Sequence, residues 1–404
     1  MLRHDIEEML AERLVKRIEG INAYILKKIG NNINKISKII PSDVYKIQQI
    51  LKYGGSFEEI VKELSRISGK NVQEIYKIFD EVAKVNKEFA KDLYNYRNIE
   101  FIPYSEEKML KEQVQALAEI TAAEYRNFSN TTAIGYMFKD ESGNKIFRNL
   151  RKTYEEVIDK AILSVAQGKS DFNSEMRQIL KDIGRSGLVV QYSSGRTKRL
   201  DSAVRMNILG GLRDLNNTLT QRFGEEYGAD GVEISVHDNP APDHEEIQGR
   251  QFSNEEFEKL QVEGIAKDIN GKTYDIHNGL GFRPISEYNC YHKIFNIVIG
   301  VSKPLYSDKQ LEKMKKENEQ GFEYEGEHYT MYEGTQLQRK IETEIRKQKD
   351  TQILAKASGD NELVQDSQEQ IEILKDKYSE LCNVSGLSPK IERLYVHGYR
   401  KVKE

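Results

Sequence analysis

The chain has little of what holds small secreted folds together and no stretch suited to a bilayer. Only two cysteines occur in 404 residues, Cys290 and Cys382. That is too few, too widely spaced, for a disulfide framework, so synthesis in a reducing compartment is expected. Trp is absent and Pro occurs only seven times. No run approaches the roughly 18 apolar residues that span a bilayer, and the segment from Met1 to Glu8 lacks the apolar core of a secretory signal. The expectation is a protein that keeps away from membranes and stays soluble until something assembles it. An excess of positive charge is missing too. A formal charge of −4 excludes a strongly basic coat for nucleic acid, although a local patch remains open.

What is there is mostly charged helix. A charged fraction of 31% against 38% hydrophobic suits elongated helices with wide solvated faces better than one thick globule. The length allows two or three domains, each with its own core. From Met1 to about Tyr227 the pattern is helical. Ser56-Phe-Glu-Glu59 and Asn71-Val-Gln-Glu74 read as helix starts with reciprocal side-chain caps, and Pro103-Tyr-Ser105 interrupts before a helix running to about Phe128. Phe138 to Asn144 is a turn-rich link with hairpin character. Helices are expected again around Lys152–Gln167 and Phe172–Ile183, followed by a strand over Gly187–Tyr192. Asp201 then caps a long helix that Gly228 ends.

Past Lys303-Pro304, the run from Phe322 to Tyr329 reads as a hairpin turning at Glu325-Gly326. Met331 to Cys382 reads as two antiparallel helices broken at Ser358-Gly-Asp360, with Leu337, Ile341 and Ile345 facing Ile371, Leu374 and Leu381. The expected fold class is mainly α with a small central α+β domain, an elongated helical N-terminal region and a C-terminal antiparallel helical hairpin. The corresponding segments are a helical region 1–130, a helical region with short strands 131–230, a compact α+β domain 231–306 and a hairpin-plus-helices region 307–404.

The compact segment concentrates the chemistry. Between Val232 and Val301 lie four of the seven histidines and one of the two cysteines. His237 ends a strand, His244 follows a proline-rich turn, and Cys290 and His292 share a strand face because they are two apart. Those four form a Cys/His set of the kind structural zinc accepts, at a spacing that matches no zinc finger. The competing reading has the histidines bonding backbone in tight turns and Cys290 as a small buried hydrophobe. Asp238, Asp243, Glu245 and Glu246 read either as acids of a metal-dependent hydrolase or as ordinary helix-start residues. Arg196, Lys198, Arg199 and Arg205, beside Tyr192, form the densest local basic cluster, readable as phosphate contacts or as a solvated turn. No nucleophile elbow, Walker A loop or dinucleotide fingerprint occurs.

These residues also carry a family likeness. Ile234-Ser-Val-His237, Pro242-Asp-His244, Gln248 through Ser253, Asn289-Cys-Tyr-His292 and Gly300 through Pro304 follow one another as in the phage minor capsid protein 2 family, itself similar to the Mu F-like head morphogenesis proteins. Tyr329 through Glu333, Thr335 through Arg339, Glu344 through Lys347 and Gly386-Leu387 continue it. Arg199, Met206 and the Gly210-Gly211 helix extend it upstream, so that it covers roughly residues 185–400. The chain departs from the pattern at Asn239-Pro-Ala-Pro242, and at Tyr291 where members often have Arg.

The resemblance implies a virion component of a tailed phage or prophage, in the head interior or near the portal vertex. Its implied partners are portal and other head proteins, with double-stranded DNA as a further one, and it brings no established catalysis. The expectation is therefore a structural, non-enzymatic assembly protein. Its rivals are a metal-dependent hydrolase built on His237 and His244 and a DNA-binding delivery protein built on Arg196, Lys198 and Arg199.

Overall fold

The structure, a computed structural model, describes residues 4–37, 55–128, 133–140, 142–153, 172–277, 281–286 and 290–401. It is mainly helical, with small sheets, long N-terminal helices and a C-terminal helix pair. Helix α1 (His4–Ser37) buries Leu10, Leu14, Ile18, Ile21, Ile25 and Ile29. Their three- and four-residue spacing keeps one stripe inward.

Helix α2 runs without interruption over Gly55–Tyr96. Asn71 therefore caps nothing. It is fully buried mid-helix, where its Nδ2 donates to Tyr125 Oη at 2.5 Å. Tertiary bonding has replaced the local one that its spacing from Glu74 suggests. The side chains of the Ser56–Glu59 cap lie outside the described residues. Helix α3 (Lys108–Phe128) follows the Pro103 interruption and contributes Leu110, Val114, Ala118, Ala122 and Tyr125.

Strands β1 (Ile134–Lys139) and β2 (Lys145–Asn149) form the hairpin read from Phe138–Asn144, with Phe138 opposite Ile146. The helix expected over Lys152–Gln167 lies almost wholly outside the described residues. Helix α4 (Phe172–Ser186) leads into β3 (Val189–Gln191) and β4 (Thr197–Arg199), completing an antiparallel sheet ordered β2-β1-β3-β4. Helix α5 (Leu200–Tyr227) ends at Gly228, whose φ of 68° is the left-handed cap that glycine tolerates. Its first residue follows Arg199, and no side chain caps it. Asp201 lies inside the first turn, buried and paired with Arg199 and Arg346. Gly211 lets α5 approach α2 and α3, since a Cβ there would stand 2.1 Å from Thr121 Oγ1 and 2.8 Å from Phe79.

The central segment holds β5 (Gly231–Ile234), a single turn α6 (Pro242–Glu245), β6 (Gln251–Ser253) and α7 (Asn254–Glu263). The small hairpin β7 (Ile265–Lys267) and β8 (Thr273–Asp275) follows, and then β9 (Ile294–Ile297). β5 lies between β6 and β9 with both pairings antiparallel. This segment has its own apolar cluster of Val232, Ile234, Ile247, Phe252, Leu260, Tyr274, Ile276, Ile285 and Ile294. It docks on α5 through Asn296, which donates to the Thr220 carbonyl, and on α1 through a 2.8 Å Lys293–Glu7 ion pair.

Helix α8 (Asp308–Gln320) starts at a Ser307/Gln310 capping box. The hairpin β10 (Phe322–Tyr324) and β11 (Glu327–Tyr329) turns at Glu325 and Gly326, both at positive φ, 51° and 82°. Two successive left-handed residues make the turn whose twist suits a two-residue hairpin. Helices α9 (Met331–Ser358) and α10 (Asn361–Ser385) are the C-terminal pair, separated by left-handed Gly359 and capped by Asp360. Their seam joins Ile341 and Ile345 to Tyr378, Leu381 and Cys382.

The largest core draws on α1, α2, α3, α4, α5, α9 and α10 together. α9 lies against α1, and the interface is charged. Asp350, with no exposure, receives Arg199 at 3.0 Å and Asn22 at 2.9 Å. Asp201, Arg346 and Glu19 complete this buried set.

Candidate metal centre

The ladder between β5 and β9 puts the chemistry of two distant segments side by side. Beyond the Ile234–Ile294 pair, Ser235 N donates to the Lys293 carbonyl and Lys293 N to Ser235 Oγ, both at 2.8 Å. His237 and the Cys290–His292 segment are therefore held together where the strands end. The His237 ring lies 4.4 Å from that of His292 and 5.9 Å from that of Tyr291. Pro242 starts the α6 turn, consistent with its preset φ at a first helical position, and that turn delivers His244 from the other side.

Three of the four histidine and cysteine side chains converge. One ligand atom each from His244, Cys290 and His292 lies within 4.8 Å of the others. Cys290 Sγ is 3.4 Å from Nδ1 of His244 and 3.4 Å from Nδ1 of His292. His244 is fully buried and its Nε2 bonds the Arg283 carbonyl at 2.7 Å. A carbonyl only accepts, so Nε2 carries the proton and the lone pair is on Nδ1, the nitrogen nearest the sulfur. His292 is 2% exposed and its Nε2 has no hydrogen-bond partner among the described residues. His237 adjoins the group through its ring, with Nδ1 at 2.9 Å from the Asp238 carbonyl.

Burial sets the electrostatics. Desolvation, opposed in part by the Arg283 carbonyl, lowers the pKa of His244. Desolvation and then the neighbouring His237 and His244 hold His292 well below the ordinary imidazole range. Burial also raises the Cys290 thiol. Neutral imidazoles offer free lone pairs to a cation, whereas the burial-raised thiol must lose its proton for the sulfur to bind one.

The cluster opens on a polar cavity of about 350 Å³, lined by His237, Asp238, Arg283, Tyr291 and one face of α9. That face presents Tyr332, Thr335, Gln336 and Arg339, at the spacing that aligns residues along a helix. Arg339 donates to Tyr291 Oη at 3.2 Å, and Arg283 pairs with Asp243 at 2.9 Å. Nothing in the sequence pattern marks Arg283 or the α9 face for this site. The only signal was a polar helical stripe some 40 residues beyond the cysteine, and nothing local ties it to the histidines.

The acids of the α6 turn serve as braces. Asp243 holds Arg283, Glu245 accepts from Asn318 and Glu246 pairs with Lys315 of α8. The basic cluster is divided. Arg196 is exposed on the β3–β4 turn, Lys198 Nζ lies against Met206 Sδ, and Arg199, partly buried, pairs with Asp201 and Asp350. Of the three, Arg196 is the exposed one and the other two are partly buried. Arg199 is a structural ion.

The expectation of a non-enzymatic chain is corrected by this geometry. Three metal-ligating side chains gathered beside a polar cavity form a potential metal or catalytic site, and the chain is not clearly without one. No curated protein and no solved structure matches the sequence significantly. The family profile described as phage minor capsid protein 2 matches residues 6–383. The match includes α1 to α3 as well as the segment whose motifs carry the likeness, so the chain belongs to the phage minor capsid protein 2 family.

Proposed function

We propose that this protein is a structural minor head protein of a tailed phage or prophage. In this reading it associates with the portal vertex or inner capsid and assists head assembly, DNA packaging or delivery. The observation that carries the proposal is the family match across 6–383, which spans nearly every helix of the main core. The surface supports it. Phe89 on α2, Met109 and Ile120 on α3, and Val262 on α7 are 62%, 74%, 68% and 69% exposed, large apolar side chains available for lateral contact. Portal rings and procapsids are its proposed partners. The test is sedimentation of the purified chain with each of them. Co-sedimentation that saturates at a fixed ratio is the expected result, and migration of all the protein as free chain with both would refute it.

A second reading is favoured by one observation, the His244–Cys290–His292 cluster at the cavity edge. It makes the central segment a metal-dependent hydrolase carried within the head. A DNA-delivery role has less support, because only Arg196 of its three cations is exposed.

A further inference from the structure

The hydrogen bonding of the His/Cys cluster does not close by itself. One thiol proton serves one imidazole. If Cys290 donates to His244 Nδ1, then His292 Nδ1 must donate to the sulfur, and His292 Nε2 remains a buried lone pair without a donor. If Cys290 donates to His292 instead, His244 Nδ1 loses its donor and His292 Nε2–H has no acceptor. Among the described residues, each tautomer strands a polar nitrogen in the interior, where an unmade hydrogen bond is costly.

A cation bound to both Nδ1 atoms and the sulfur satisfies all three together, leaving only His292 Nε2–H without an acceptor among the described residues. We propose that His244, Cys290 and His292 bind one zinc-class divalent ion, with its fourth position facing the polar cavity and open to an oxygen-donor or anionic ligand. Two nitrogens and one sulfur form a borderline-soft set that favours zinc or cobalt over magnesium or calcium. Zinc–sulfur and zinc–nitrogen bonds of about 2.3 and 2.05 Å at a tetrahedral angle place the ligand atoms roughly 3.6 Å apart. Both sulfur–nitrogen separations are 3.4 Å, and all three ligand atoms lie within 4.8 Å of one another, so the two rings need only close around the ion. The Arg283 carbonyl on His244 Nε2 is the outer partner that fixes which ring nitrogen faces an ion.

The open position follows from the surroundings. His237 lies beside His292 with Nδ1 engaged at the Asp238 carbonyl, and it is not among the mutually close ligand atoms. On the remaining side is the cavity, with the guanidinium groups of Arg283 and Arg339 among its lining. One thiolate leaves a divalent ion with net positive charge, and Arg339 adds to it, while Arg283 is paired with Asp243 and Asp238 also lines the cavity. A carboxylate or phosphate oxygen is the ligand class that such a field selects. Three protein ligands with an accessible fourth position is the arrangement of catalytic rather than closed structural zinc. This inference is independent of the assembly role and goes beyond it.

Metal analysis and cobalt titration of the full chain test the proposal. About one zinc per chain is expected after purification. Cobalt substituted for it should give tetrahedral visible bands and a sulfur-to-cobalt charge-transfer band. Cys290→Ser should abolish the charge-transfer band and weaken cobalt binding by at least the roughly 10–100-fold seen for outer-shell changes, whereas Cys382→Ser should leave both intact. His292→Ala, with folding checked by circular dichroism, provides a second ligand test. Acetate should shift the visible bands.

No stoichiometric uptake by the folded, unsubstituted chain would overturn the site whatever the variants do. A charge-transfer band that follows Cys382 would overturn it equally. Bands that ignore acetate and collapse in His237→Ala would replace the open position with a closed four-ligand centre.

Discussion

Replacing Glu19 by Gln should make the protein more stable, and increasingly so as pH rises. Glu19 lies on α1, 7% exposed, facing Asp201, Asp350 and Glu12 with Arg346 as its opposing charge, and its Oε2 has no partner among the described residues. Burial first, then the neighbouring acids, raise its pKa from 4.5 to about 9. A carboxyl with a raised folded-state pKa favours the folded state fully below the unfolded value near 4.5. That contribution is lost progressively as pH climbs towards 9. At 1.36 kcal/mol per unit the full window is worth at most about 6 kcal/mol. Water reaching the ionised group lowers this, so about 2–3 kcal/mol is expected by pH 8.5.

Gln keeps the shape of the protonated acid and does not ionise. Urea unfolding followed by circular dichroism at pH 5.5, 7 and 8.5 should show variant and parent nearly matched at the lowest pH, with the gap widening steadily. A gap of constant size, or one that shrinks with pH, would refute the claim that Glu19 is a buried acid held neutral between α1 and α9.

Three further outcomes follow from the same core and surface. Arg199→Ala removes the cation between Asp201 and Asp350 and should cost about 3–5 kcal/mol in urea unfolding; loss of DNA retention with unchanged stability would instead make it a surface contact. Gly211→Ala forces a Cβ against Thr121 and Phe79 and should destabilise by about 1–3 kcal/mol, read as a lower thermal midpoint. Phe89→Asp alters a largely exposed side chain and should shift stability by no more than about 0.5 kcal/mol while weakening sedimentation with portal rings or procapsids; full retention with both would remove α2 from the docking surface.

Local grammar was legible where backbone conformation alone decides the outcome. Glu325-Gly326 turns because two positive-φ residues are required there, and Gly228 and Gly359 stop helices for the same reason. The α9–α10 pair was legible from its two apolar seams and the Ser358-Gly-Asp360 break. Asn71 and Asp201 were misread because cap-like residues can equally serve distant partners, Tyr125 in one case and Arg346 in the other. Charged residues of α1 and α9 read as solvated faces, yet Glu7, Glu12, Glu19, Arg346, Lys349 and Asp350 are buried. Asn22 and Asp350 lie 328 residues apart in the chain, so no window of sequence contains both halves of that interface.

The candidate site was legible by composition. Histidine and cysteine are rare here and crowd one segment, and His237, His244, Cys290 and His292 are indeed brought into one neighbourhood. The cavity wall was not legible. Arg283 arrives on a loop and Arg339 on a helix, and only the fold makes them neighbours of the cysteine.

An asymmetric reconstruction of the particle's unique vertex, at a resolution that resolves helices, tests the assembly role most directly. The account predicts density for the long α1 and α2 helices and the α9–α10 pair, lying against portal or inner capsid subunits. A vertex and capsid interior fully explained by other chains, in particles shown to contain none of this protein, would contradict it.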